Sequence, residues 1–513
     1  MVFRTARNLV RLFGIGRTLA RYNAVPETLP ETAPGAAMLW RLVAGRRVPG
    51  RVGQRLARAL AELGPTYIKL GQLLSTRSDL VGERMAADLA ELQDKLPPFP
   101  GAKARAIIEE ELGRPIAELF ARFDAEPVAA ASIAQVHFAV TADGREVAVK
   151  VLRPGIEHAF ERDIDLFYWL AEWAEYVLPK LKRLRLREVV DTFARTSRLE
   201  MELRMEAAAA SELGANFRGD PTFNVPAIDW DRTARRVLTL ERIRGLKVDE
   251  VERIEAAGFN RDEILAKASA SFFNQVFRDG FFHADLHPGN LFVNQDGNIT
   301  AVDFGIMGRL DRATRTYLAD MLIGFLSGDY RRVALVHFEA GYVPRHQSIE
   351  VFTQACRAIG EPLQNKPLNE ISVGRLLAQL FAVTEQFEME TQPQLLLLQK
   401  SMLTAEGVGR ILNPNINMWE LARPLIEEWM RENRGPEAQI LDDLEGAVYT
   451  VRRLPHLVRE VERTVTQIAE GGLRLHPQTV RYTLDRWVDR RRGERVAVWI
   501  IVALLAVIAL QLS

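Results

Sequence analysis

Residues 281–305 read FFHADLHPGNLFVNQDGNITAVDFG, and the rest of the chain is best read outward from them. Asp285 is followed five residues later by Asn290, and then, across a hairpin pattern, by Asp303-Phe304-Gly305. The apolar runs on either side of Asp296-Gly297 are rich in β-formers, and Asp-Gly favours the tight turn that joins two antiparallel strands. Phosphoryl transfer needs one carboxylate near the attacking oxygen and oxygen ligands for Mg²⁺ beside the β- and γ-phosphates. Asp285 is the candidate catalytic residue for the first task. Asn290 and Asp303 are the candidate metal ligands for the second. His283 and His287 stand four apart, but Pro288-Gly289 makes a helix there improbable, so both are read as loop-orienting and not as a metal pair.

Position by position, the stretch resembles the protein-kinase pattern H-R-D-L-K-P-x-N followed by D-F-G. His283, Asp285, Leu286, Pro288 and Asn290 match it, while Ala284, His287 and Gly289 depart from it. Upstream, SIAQVHFAVT and EVAVKVL form a second hairpin pattern that turns at Asp143-Gly144. Lys150 closes its last strand and resembles the V-A-I-K lysine that contacts the α- and β-phosphates. Such a lysine needs a carboxylate from a neighbouring helix. RLEMELRMEAAAASELGANF, at 198–217, is a strong helix former that offers Glu200, Glu202 and Glu206. Glu200 and Glu206 are six apart and point to different faces, so residue chemistry alone leaves the partner open. The loop that should cover the phosphates lacks glycines. It runs Val128-Ala129-Ala130-Ala131-Ser132-Ile133-Ala134-Gln135-Val136, and residues 129–136 are the candidate nucleotide-binding segment. Alanine lacks glycine's conformational freedom, so a stiffer turn is expected than in an ordinary kinase.

An alanine-rich loop combined with HADLHPGN and DFG resembles the UbiB/ADCK atypical kinase family. A second signature lies in LGPTYIKLGQLLSTRSDL, whose K-x-G-Q motif is Lys69, Gly71 and Gln72, and ELQDKLPPFP nearby is also typical. The likeness is dense over about residues 60 to 310 and loose beyond. It implies a kinase-like fold whose K-x-G-Q helix lies across the site where a protein substrate would dock. It also implies binding of ATP with Mg²⁺, ATPase-type activity, and support of ubiquinone biosynthesis at a membrane. Carried over, Lys150 is the nucleotide lysine and Glu206, in the E-A segment, its helix partner. Glu200 and Glu202 fall on the E-x-D motif that faces the K-x-G-Q residues. Two positions depart from the family: Glu202 replaces the motif's Asp, and Ala209 stands where Asn is frequent.

Composition sets the outer bounds. With 67 Lys+Arg against 67 Asp+Glu, the chain lacks the basic surplus of a nucleic-acid binder. The single cysteine, Cys356, excludes a disulfide framework and points to a reducing compartment. No internal repeat or low-complexity block is present. An α+β architecture is expected, with two kinase-like lobes. Residues 1–120 form a helical extension, 121–240 the N-lobe, 241–440 the C-lobe, 441–495 a charged helical tail and 496–513 a transmembrane helix. The run VAVWIIVALLAVIALQLS, at 496–513, carries no charge and follows Arg490, Arg491, Arg492 and Arg495. That arrangement predicts a single pass with the folded part on the cytoplasmic or matrix side, and the retained basic N-terminus points to a bacterial inner membrane, the alternative being the mitochondrial inner membrane, matrix side. The first residues, MVFRTARNLVRLFGIGRTLARY, carry five arginines and no acid, which suits a helix on the membrane surface or docked on the protein. A mitochondrial transit peptide is the further alternative. The leading expectation is an ATPase that acts on, or extracts, membrane polyprenyl-phenol precursors, with lipid and other ubiquinone-biosynthesis proteins as partners. A protein, small-molecule or lipid kinase, and a nucleotide-binding scaffold, are the competing readings.

Overall fold

The computed structural model describes residues 2–24, 48–75, 81–90, 92, 96–177, 186–364, 379, 383, 386–389, 392–415 and 418–434. The expected tail at 441–495 and the span at 496–513 lie outside the described residues. No described helix is long and apolar enough to cross a membrane.

The first lobe is built on an antiparallel sheet of β1 (Phe120–Phe123), β2 (Ala129–Ala130), β3 (Ala134–Thr141), β4 (Glu146–Leu152) and β6 (Val237–Glu241). Its strand order is β1-β3-β4-β6, with the short β2 paired to β3. Alternation in β4 decides what each face does, because successive side chains in a strand point to opposite sides. Val147, Val149 and Val151 turn one way, into a core with Ile107, Ile108, Leu119 and Phe120. Each such burial is worth about 1.5–2 kcal/mol. Lys150 therefore looks out of the opposite face, alongside Leu152, which packs with Leu60, Ile68 and Phe160. The turn at residues 142–144 closes the hairpin, and Gly144 takes a φ of +86°, which a residue with a Cβ adopts only with strain.

Helices cover that second face. They are α1 (Val2–Arg21), α2 (Val52–Leu63), α3 (Pro65–Ser75) and α4 (Glu83–Ala90) from the extension. After α5 (Gly101–Leu112), which lies on the valine face, come α6 (Ile156–Val177), α7 (Leu186–Glu200) and α8 (Leu203–Asn216). The arginine-rich α1 is docked on the protein. Arg7 pairs with Asp165 at 2.9 Å and Arg11 with Asp163, both on α6. Thr66 Oγ1 donates to the same Asp163 at 2.8 Å, so α1, α3 and α6 meet at one buried carboxylate.

The second lobe combines a four-stranded sheet with helices. Its strand order is β5 (Phe223–Asn224), β10 (Ile299–Ala301), β9 (Leu291–Asn294), β7 (Gly245–Lys247). A separate two-stranded ribbon pairs β8 (Phe281–His283) with β11 (Met307–Arg309). Helices α9 (Arg261–Phe273) and α10 (Pro393–Leu412) bury Ile264, Phe272, Leu398 and Met402 in one core with Phe282, Leu286 and Phe304. That core fixes the ribbon and the loop after it. Gly308 lies opposite Phe282 in the ribbon, and a Cβ at 308 would overlap the fully buried Phe282 ring. Gly308→Ala is accordingly expected to destabilise the chain by about 1–3 kcal/mol, read as a lower urea midpoint. An unchanged midpoint would contradict this packing.

Candidate active site

Helix α8 presents one stripe, Leu203, Glu206, Ala207, Ala210 and Leu213, to the protein interior. The alanines let its backbone come close, which brings the Glu206 carboxylate to the cleft face of β4. Lys150 Nζ donates to Glu206 Oε1 and Oε2 at 2.8 and 2.9 Å and to Asp303 Oδ1 at 2.9 Å. Burial works to lower the Lys150 ammonium, but Asp303 and Glu206 outweigh it and hold it above the usual lysine range. The Lys150 ammonium, with help from Lys69, holds the Asp303 carboxyl well below the usual carboxylate range.

Asp303 has a φ of +64°, a left-handed conformation that costs a non-glycine residue about 1–2 kcal/mol. Its neighbours fix it there. Val302 N–H donates to the Asn290 carbonyl at 3.0 Å, and the Phe304 ring is buried in the core. His283, fully buried, joins the segments that carry Asp285 and Asp303. Its Nδ1 accepts from Asp285 N–H at 3.1 Å, while Nε2 lies 3.3 Å from the Val302 carbonyl and donates to it. Burial lowers the His283 imidazole, so it stays neutral and keeps both bonds. His287 Nδ1 accepts from Gly289 N–H at 3.0 Å and shapes the turn. Asn290 Nδ2 donates to the Asp285 carbonyl at 3.1 Å, which fixes the orientation of this buried amide.

The alanine-rich loop splits in two. β2 pairs with β3 through Ala129–Val136 and Ala130–Gln135, and Ala129, Ala130, Ala131 and Val136 keep some exposure. The side chains of Ser132, Ile133, Ala134 and Gln135 are buried, so these four anchor the loop. Gln135 exchanges two bonds with the Phe99 backbone, at 2.9 and 3.1 Å. Arg153 grips the Ala131 carbonyl through Nε and Nη2 at 3.0 and 2.8 Å. Stiffness thus comes from these clamps as well as from alanine.

Lys69 on α3 pairs with Glu200, the last residue of α7, at 2.9 Å, and both side chains are largely buried. A Cβ at Gly71 would lie 2.8 Å from Leu60 Cδ1, so this glycine lets α3 approach α2. Gln72 follows, its carbonyl accepting from Ser75 Oγ at 2.7 Å. Glu202 stands at the break between α7 and α8, and its carboxylate is taken in bidentate fashion by Arg204 at 2.7 and 2.9 Å. One contact had no local signal in the sequence: Lys400 Nζ, on α10, donates to Asp285 Oδ1 at 2.8 Å.

A five-stranded antiparallel sheet whose lysine is gripped by a helix carboxylate, above a helical lobe that carries a D-F-G aspartate, defines a kinase-like α+β fold. The chain matches the ABC1 atypical kinase-like domain over residues 91–337 and the UbiB helical domain over 356–417. It is 44% identical over 424 residues to the probable protein kinase UbiB of Marinobacter nauticus, covering 82% of this chain and 78% of that one. It is 40% identical over 496 residues to the probable protein kinase UbiB of Pseudomonas putida, covering 94% and 91%. The chain belongs to the UbiB family of atypical kinases, and its kinase-like domain implies nucleotide binding. A solved complex of Rv3197 with erythromycin from Mycobacterium tuberculosis is 26% identical, covering 77% of this chain and 98% of that one, at a TM-score of 0.49.

Burial pushes Glu206 up from its ordinary 4.5 to about 6 against the pull of Lys150. The folded chain therefore holds a proton there that the unfolded chain releases at lower pH. The stability this adds is complete below about 4.5 and is lost as pH rises through about 6. Lowering the pH from neutral to about 4.5 should shift stability by up to about 2 kcal/mol in favour of wild type over Glu206→Gln. Urea titrations of both proteins across that range check it, and parallel pH curves would refute it.

Proposed function

We propose that this chain binds ATP with Mg²⁺ in the cleft between Lys150 and Asp303 and hydrolyses it in support of ubiquinone biosynthesis at a membrane. The observation that carries the reading is the largely buried Lys150, held at once by Glu206 and Asp303 from opposite lobes. A lysine so oriented is prepared for the α- and β-phosphates. The donor chemistry also suits magnesium, because the Asn290 amide oxygen and the Asp303 carboxylate are hard oxygen ligands. When bound, Mg²⁺ would neutralise charge on the β- and γ-phosphates. Asp285 then accepts the proton of the attacking oxygen, and His283 and Asn290 hold its backbone in place.

Hydrolysis is favoured over phosphorylation of a protein by the extension. The Lys69–Glu200 pair fastens α3 against α7, and the Lys69 charge is felt at Asp303, so the K-x-G-Q helix stands near the cleft. A bulky peptide has little room beside it. The acceptor is then water, or a small or lipid-like molecule, and the retained Asp285 supports that second reading. The uncharged run at 496–513 supports an anchor that keeps the site near polyprenyl-phenol precursors in a bacterial inner membrane, with the folded part cytoplasmic.

Calorimetry on the full-length chain should show Mg-ATP binding that falls at least about tenfold in Asp303→Ala. In cells lacking the gene, wild type should restore quinone, whereas Asp303→Ala should accumulate an early prenylated intermediate. A chain that binds no Mg-ATP, or an Asp303→Ala variant that restores quinone fully, would overturn the proposal.

A further inference from the structure

The pattern of residues 283–290 leaves one chemical role unfilled. Where the kinase string has lysine two residues after its aspartate, this chain has His287. His287 is occupied with its own turn, and its Nε2 lies 4.0 Å from Asp285 Oδ2. A lysine nonetheless reaches the aspartate. Lys400 Nζ bonds Asp285 Oδ1 at 2.8 Å, across 115 residues of sequence. It rises from α10, within the part matched by the UbiB helical domain and outside the part matched by the kinase-like domain. Buried Leu398 and Met402, in one core with Leu286, fix the helix beneath it.

As a structural strut this pair would do little. The Lys400 side chain is 41% exposed, and ion pairs that water reaches contribute about 0–1 kcal/mol. Its placement matters more than its strength. Asp285 stands where the attacking oxygen must meet the γ-phosphoryl group, and charge builds on the oxygens of that group as it transfers. Lys150 is engaged with Glu206 and Asp303. We infer that Lys400 is a substrate-binding cation that contacts the γ-phosphate of ATP, taking the place of the lysine that position 287 lacks. The inference rests on ATP binding in the Lys150–Asp303 cleft. It makes the helical region part of the active site.

An ATP derivative acylated on its γ-phosphate tests this with the unaltered full-length chain. A lysine beside that phosphate attacks the acyl carbonyl, an amide forms, and ATP leaves. Mass spectrometry is expected to find acyl groups on Lys400 that excess Mg-ATP suppresses. Acylation of Lys150 alone would overturn the role of Lys400 while leaving nucleotide binding intact. No ATP-protected acylation anywhere would remove both. A charge swap gives the second readout. Lys400→Met should weaken ATP binding roughly ten- to hundredfold and change ADP binding by less than about twofold, since only ATP has the third phosphate. Adding His287→Lys should restore most of the loss. Equal effects on ATP and ADP, or none, would overturn the assignment.

Discussion

Lys150 sits between Glu206 and Asp303, and none of the three is stable in its place without the others. Removing a carboxylate or an ammonium from water costs several kcal/mol, and only a close partner with good geometry repays it. Glu206 lies on the apolar stripe of α8, where an unpaired carboxylate would be expelled or protonated. Lys150 lies on a central strand whose other face is solid valine, so the strand cannot shift by a residue to release it. Asp303 adds a strained backbone to the same arrangement. The ion pairs therefore do more than hold two lobes. They settle the strand register, the approach of α8 and the conformation at Asp303 together.

The alanine-rich loop follows from the same constraint. A glycine loop would be free to move over bound phosphates and away from them. Here the chain has given that freedom up, and Arg153, Gln135 and the Phe99 backbone hold the turn from behind. Phe99 belongs to LPPFPG, between the K-x-G-Q helix and the first strand. The extension thus braces the loop at one end and pairs Lys69 with Glu200 at the other. A nucleotide would enter a cleft already shaped, with little to gain from closure.

Much of this was legible in the sequence where the signal is local. Both hairpins were marked by Asp-Gly turns between β-forming runs, and Asp285, Asn290 and Asp303 were marked by their spacing. Lys150 was marked by its strand. The choice of Glu206 among three glutamates needed the family likeness, because helical periodicity separates their faces without naming the one that meets the sheet. The Arg204 partner of Glu202 was not legible for a physical reason: the break after Glu200 resets the helical phase, so spacing no longer predicts direction. The inward turn of Ser132 to Gln135 depends on packing against helices far away in sequence. Lys400 stands within LLLLQKSMLTAEG, where a lone lysine looks like a solvated position on an apolar helix, and no local rule connects it to Asp285.

The charges at the cleft come from three sources, and their origins explain why the fold is larger than a minimal two-lobed domain. Lys69 belongs to the extension, Lys150 to the sheet and Lys400 to the C-terminal helical region, whereas Asp285 and Asp303 come from the loop-and-ribbon core. Each added module contributes a cation that ends on a carboxylate of the cleft or its wall. Deleting the extension would leave Glu200 largely buried without its ammonium and free the loop from Phe99. Deleting the helical region would strip Asp285 of Lys400 and expose the core beneath Leu286. The extra helices are thus coupled to the site by charge as well as by packing, so the kinase-like part alone would carry its carboxylates without the full set of cations that balances them.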